Sequence, residues 1–226
     1  MITERRMVAV APAGCEIMPR MSRHTFIAIA IVLAVAAGVA GAWLAAHLGA
    51  PQPPEQARVL TTPRPVPAVP AIDQAGQPFG PEALRGRWTM VFFGFTHCPD
   101  ICPATLQVLA GARQLLDDLP PEEMPAVVMI SVDPGRDTPE RLAEYVPFFH
   151  PEFRGVHVPA ANLAELTRVF GAAYAYSPAG DDSYTVDHTA SLFLVDPQAR
   201  VAAVFPTPHT AAGVASDLRR IIELEK

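Results

Sequence analysis

Two cysteines four residues apart, Cys98 and Cys102 in "FTHCPDICPATL", are the side chains best suited to chemistry in this sequence. Thiols at that spacing can close a disulfide, cycle between dithiol and disulfide, or grip a metal ion. A bridge across so short a loop removes little unfolded-chain entropy, so stapling alone is a weak reason for the pair. On a regular helix, positions i and i+4 hold their Cβ atoms about 5–6 Å apart. That is too wide for an unstrained disulfide, which needs about 4 Å, and well matched to two thiolates on one soft ion. A histidine, His188 in "TVDHTASLFLVD", stands just before a strand-like run that should begin opposite the cysteine loop. Two thiolates and an imidazole suit copper(I), and copper(II) would add a fourth ligand such as water. Structural zinc would call for four protein ligands.

The elements that must position these residues alternate between strand and helix. "WTMVFFGF" (Trp88–Phe95) and "AVVMISVD" (Ala126–Asp133) are near-continuous apolar runs, the pattern of strands buried on both faces. "ATLQVLAGARQLLDDL" carries apolar residues at helical spacing. In "TPERLAEYVPFF", Thr138 fits an N-cap and Pro139 the first helical position. A further helix is expected in "ANLAELTRVFGAAY", a hairpin in "SLFLVD" and "VAAVF" around Pro197–Arg200, and a last helix from about Thr210 to Leu224. The fold class is therefore α/β: a mixed sheet covered by helices on both faces. Cys98 and Cys102 fall at the C-terminal end of a central strand, where a helix begins. Reactive sites gather there in open α/β sheets. The free N–H groups and dipole of the helix are expected to favour thiolate over thiol.

From Phe26 to Leu48 the chain contains no Asp, Glu, Lys or Arg. At ~1.5 Å per residue, a helix over these residues crosses a ~30 Å hydrocarbon core. Arg20 and Arg23 precede it, so the positive-inside rule keeps the N-terminus in the cytoplasm and exports the residues beyond Leu48. The expected organisation is a cytoplasmic tail over 1–25, a transmembrane anchor over 26–48, a proline-rich spacer over 49–65 and a domain over 66–226. A cleaved signal peptide is the alternative, but its apolar region would be shorter, ~7–15 residues. Cys15 in "PAGCE" is assigned no function, and Met18 and Met21 are alternative starts. From Pro51 onward 13 basic and 21 acidic residues give a net charge near −8, which argues against nucleic-acid binding.

"FFGFTHCPDICPATL", "SVDPGRDTPERL" and "YTVDHTASLFLVDP" together resemble the Sco/SenC family of copper chaperones. The resemblance covers the chain from about Val66 to its end. It implies a thioredoxin-like domain with copper held by Cys98, Cys102 and His188. It further implies delivery to the dinuclear CuA site of cytochrome c oxidase subunit II. The expected setting is a bacterial inner membrane, single-pass, with the C-terminal domain in the periplasm. Because only thiolates bind the ion, loading would require a thioredoxin-like reductant as well as a copper donor that the residues do not identify.

The main rival is a thiol–disulfide reductase, using Cys98 and Cys102 as a redox pair with copper incidental. Against it, the thioredoxin plan has Cys-x-x-Cys, one residue shorter, and a cis-proline where this chain has Thr189-Ala190. A peroxidase and a copper or redox sensor would draw on the same residues. His97 should point away from a metal held by Cys98, and His150, His157 and His209 should face solvent. Asp187 could orient the ring of His188. Asp133 and Asp137 are expected as turn and cap residues, and Met90 and Met129 as core.

Overall fold

The computed structural model describes residues 22–48, 52–180 and 183–225, so Cys15 lies outside the described residues. The chain divides into two units, Met1–Ala50 and Pro51–Lys226. The first contains helix α1 (Arg23–Leu48), 26 residues without an acidic side chain in its first turn. Its segment Arg23–Ala45 is long and apolar enough to cross a membrane.

The second unit is built on β1 (Arg58–Pro65), β2 (Ile72–Asp73), β3 (Thr89–Gly94), β4 (Ala126–Ser131), β5 (Arg154–His157), β8 (Leu192–Val195) and β9 (Arg200–Phe205). These form one seven-stranded sheet in the order β1-β9-β8-β3-β4-β5-β2. Strands β3, β4 and β5 run parallel, and β8 lies antiparallel to β3. A separate two-stranded hairpin joins β6 (Tyr174–Gly180) and β7 (Ser183–His188). The helices are α2 (Pro81–Leu84), α3 (Ile101–Gln114), α4 (Pro139–Tyr145), α5 (Ala160–Phe170) and α6 (Ala211–Leu224).

All six residues of β3 are buried, as a central strand covered on both faces requires. Alternate side chains therefore serve two half-cores. Met90 meets Leu109 and Ala112 of α3, Leu116 just beyond it, and Val214 and Leu218 of α6. On the other face Val91 meets Leu166 and Phe170 of α5. There Phe93, Phe170 and Phe193 pack edge to face, with ring centroids 5.2–5.7 Å apart. The expected mixed sheet with helices on both faces is present, and Met90 and Met129 lie in its core.

The expected spacer over 49–65 needs correction, because Arg58–Pro65 forms β1 and pairs with β9. Pro63 and Pro65 are tolerated because β1 is an edge strand with an irregular register, where an absent N–H breaks no interior ladder. The residues just before it are tied down as well. The buried Asp217 carboxylate on α6 accepts the backbone N–H groups of Glu55, Gln56 and Ala57, each at 2.7 Å. Hydrogen bonds to an ionised acceptor are worth about 1.5–3 kcal/mol each, less what water restores when they break. Asp217→Ala should therefore lower the stability of the Pro51–Lys226 unit by on the order of 3 kcal/mol. Urea unfolding would show this as a lower midpoint at unchanged slope, whereas an unchanged midpoint would mean the segment is not held.

Candidate metal centre

Strand β3 ends at Gly94, and the chain then crosses Phe95–Asp100 before α3 begins at Ile101. This loop carries Cys98, and its conformation is held from the side. Asp137, fully buried, accepts Thr96 N–H at 3.0 Å and Thr96 Oγ1 at 2.7 Å. The same carboxylate accepts Ser131 Oγ at 2.7 Å, so one acidic group joins the loop to the end of β4.

The first turn of α3 lacks a side-chain cap from Asp100. Instead Cys98 takes that place: the Cys102 N–H donates to its Sγ at 3.4 Å. Cys98 is half-buried, whereas Cys102 is wholly buried, on the α3 face that also carries Leu106 and Leu109. Burial pushes the Cys102 thiol well above its ordinary pKa, so without a metal it stays protonated. The thiolate expected from the helix terminus is thus overridden at Cys102. The cysteines also do not share a helix face, because Cys98 precedes α3.

His188 ends β7, opposite Tyr174. Its Nδ1 lies 3.1 Å from the Thr189 carbonyl oxygen, which can only accept. Nδ1 therefore carries the proton, and the Nε2 lone pair faces Cys102 Sγ at 3.5 Å. Burial lowers the His188 pKa below its ordinary value, and neutral imidazole is the form that ligates metals. The edges of Phe92 and Phe95 flank the ring at 6.0 and 5.8 Å between centroids. Beyond it, Thr189 N–H donates to Ala173 O at 2.9 Å, and His209 Nε2–H donates to Ala190 O at 3.0 Å.

The sequence-predicted donors thus converge. Cys98, Cys102 and His188 each offer an atom within 4.8 Å of the others, and both cysteines are free thiols. Two sulfurs and a nitrogen lone pair around one point can hold a single soft ion.

Other expectations need correction. Asp187 does not orient the His188 ring: as the neighbouring strand residue it points the other way and accepts Ser177 Oγ at 2.5 Å. The Thr189 carbonyl does that work. Asp133 and Asp137 are more than turn and cap residues, since both are buried and the α4 cap is Thr138. His157 Nδ1 donates to Asp137 O at 2.9 Å, and His150 stacks on Phe153 at 5.0 Å, so neither they nor His209 simply face solvent. His97 Nδ1 lies 3.8 Å from the Asp137 carboxylate. The β6–β7 hairpin is absent from the elements expected of the sequence. Its signal was the aromatic and β-branched "AYAYSPAGDDSYTVDH", with Pro-Ala-Gly-Asp-Asp between its halves.

A family model described as SCO1/SenC matches residues 68–223. A Stutzerimonas stutzeri protein described as copper-binding is 36% identical over 176 residues, covering 76% of this chain and 85% of that protein. The structure of Arabidopsis thaliana ScoI with copper bound aligns at a TM-score of 0.64 and 30% identity, covering 72% of this chain and 98% of that one. Bradyrhizobium japonicum ScoI with copper bound aligns at 0.60 and 31%, covering 70% and 97%.

The close approach of β3 to α3 makes Gly94 a test of this geometry. A Cβ there would lie 2.5 Å from the Phe92 ring and 3.1 Å from Cys102 Sγ. Gly94→Ala should cost about 1–3 kcal/mol by overpacking. It should also raise the alkylation rate of Cys102 by displacing it from the core. An unchanged rate at unchanged stability would contradict the placement.

Proposed function

Since the chain belongs to the SCO1/SenC family, we propose that it binds one copper ion through Cys98, Cys102 and His188 and delivers it to the CuA site of cytochrome c oxidase subunit II. The observation that carries this reading is the convergence of the three donors within 4.8 Å. Helix α1 anchors the protein in a bacterial inner membrane, and the second unit works in the periplasm. The arginines at and before the start of α1 support that orientation.

The donors are unequal, and this shapes the handover. Cys98 is the more exposed of the two cysteines, because Cys102 is buried, and His188 is half-buried. Incoming thiolates of the acceptor's cysteine pair meet Cys98 first and replace the donors one at a time, so the ion is never free. Oxidation of Cys98 and Cys102 to a disulfide removes two electrons and both thiolates, and abolishes binding. A thioredoxin-like dithiol restores the pair by two-electron exchange, its own thiols becoming a disulfide. The reductase alternative uses only the thiols and leaves the aimed lone pair of His188 without a task.

The reduced protein should bind one copper(I), read by competition against a copper(I) chelator. His188→Ala should weaken binding at least tenfold while leaving thiol exchange intact. Equal affinity in wild type and His188→Ala, with brisk thiol exchange, would make the protein a reductase instead. Because burial keeps Cys102 protonated, copper must displace its proton. Each copper bound at pH 7 should release at least one proton, and affinity should rise with pH. A pH-indicator titration showing no release would contradict this.

A further inference from the structure

The hairpin that delivers His188 stands outside the seven-stranded sheet, so no ladder hydrogen bond of that sheet holds it. The loop between β4 and α4 grips it instead. Tyr176 Oη donates to Val132 O at 3.0 Å, and Tyr184 Oη donates to Asp133 Oδ1 at 2.7 Å. Arg136 Nη1 donates to Tyr184 O at 3.0 Å, and its guanidinium lies 3.8 Å from the centre of the Tyr184 ring. Arg136 Nε in turn donates to Asp133, whose side chain is wholly buried. Tyr184, Val186 and His188 alternate onto one face of β7. What fixes Tyr184 therefore fixes the face that carries the imidazole. Four residues of strand span about 13 Å, so a small tilt at Tyr184 is magnified at His188.

We propose that Arg136, Asp133 and Tyr184 are positioning residues for the metal centre, holding the β6–β7 hairpin so that His188 Nε2 stays within reach of Cys102 Sγ. This rests on the reading of His188 as a copper ligand. The chemistry suits arginine: a planar guanidinium can stack on the phenol ring while its N–H groups reach Asp133 and the Tyr184 carbonyl together. An ammonium group cannot reproduce that combination. None of the three residues needs to touch the metal.

The test uses the full chain in detergent micelles, with copper(I) titrated against a chelator in single variants and in the His188→Ala background. Loss of an outer hydrogen-bonding partner typically weakens a metal site about 10–100-fold. Arg136→Gln is expected to weaken binding at least tenfold, Arg136→Lys less so, and Tyr184→Phe several-fold because only the bond to Asp133 is lost. In the His188→Ala background neither Arg136→Gln nor Tyr184→Phe should weaken binding further, because the clamp acts only through the imidazole. The alkylation rate of Cys98 should stay at the wild-type value throughout. Equal losses with and without His188, or full affinity in both Arg136→Gln and Tyr184→Phe, would overturn the proposal. If Arg136→Gln fails to fold, Tyr184→Phe alone completes the cycle by the same criterion. Wild-type affinity in His188→Ala would instead remove the ligand reading and the clamp's role with it.

Discussion

The buried carboxylate of Asp137 is the constraint on which the site depends. Taking an ionised carboxylate out of water is costly unless hydrogen bonds replace its hydration. Asp137 meets that demand with Thr96 N–H, Thr96 Oγ1 and Ser131 Oγ. Those donors belong to the cysteine loop and to the end of β4, so satisfying the charge brings the two together. The same short stretch, residues 132–137, also holds the hairpin of His188 through Val132, Asp133 and Arg136. Two sulfurs from one part of the chain and a nitrogen from 86 residues later are referred to one loop.

Much of this was legible in the sequence because burial and periodicity are local signals. The apolar run of β3, the Thr138-Pro139 start of α4 and the turn at Pro197–Arg200 all follow from residue type. Cys98, Cys102 and His188 were identifiable because soft donors are few. Tertiary effects were harder to read. The prolines near β1 suggested a spacer, since edge pairing that tolerates proline depends on a partner strand about 140 residues away. Asp133 and Asp137 looked like turn residues because nothing near them in sequence shows that Thr96 and Tyr184 arrive as donors. The Cys102 thiol was expected to ionise at a helix terminus, but its side chain lies against β3, where desolvation outweighs the dipole.

The geometry divides labour among the donors. Cys102 is buried and its thiol kept protonated, while the half-buried His188 presents its imidazole in the metal-binding tautomer. Cys98 lies nearer solvent than Cys102, bonded to the first turn of α3. A centre of this kind can hold a soft ion and leaves one thiol open to exchange, as the proposed handover requires.

X-ray absorption on the copper(I)-loaded protein tests this most directly, because it counts the atoms around the ion. Two sulfur scatterers and one imidazole nitrogen, with the nitrogen lost in His188→Ala, are the predicted result. A shell of sulfur alone, unchanged by removing His188, would show that the histidine is not a ligand and would contradict the account.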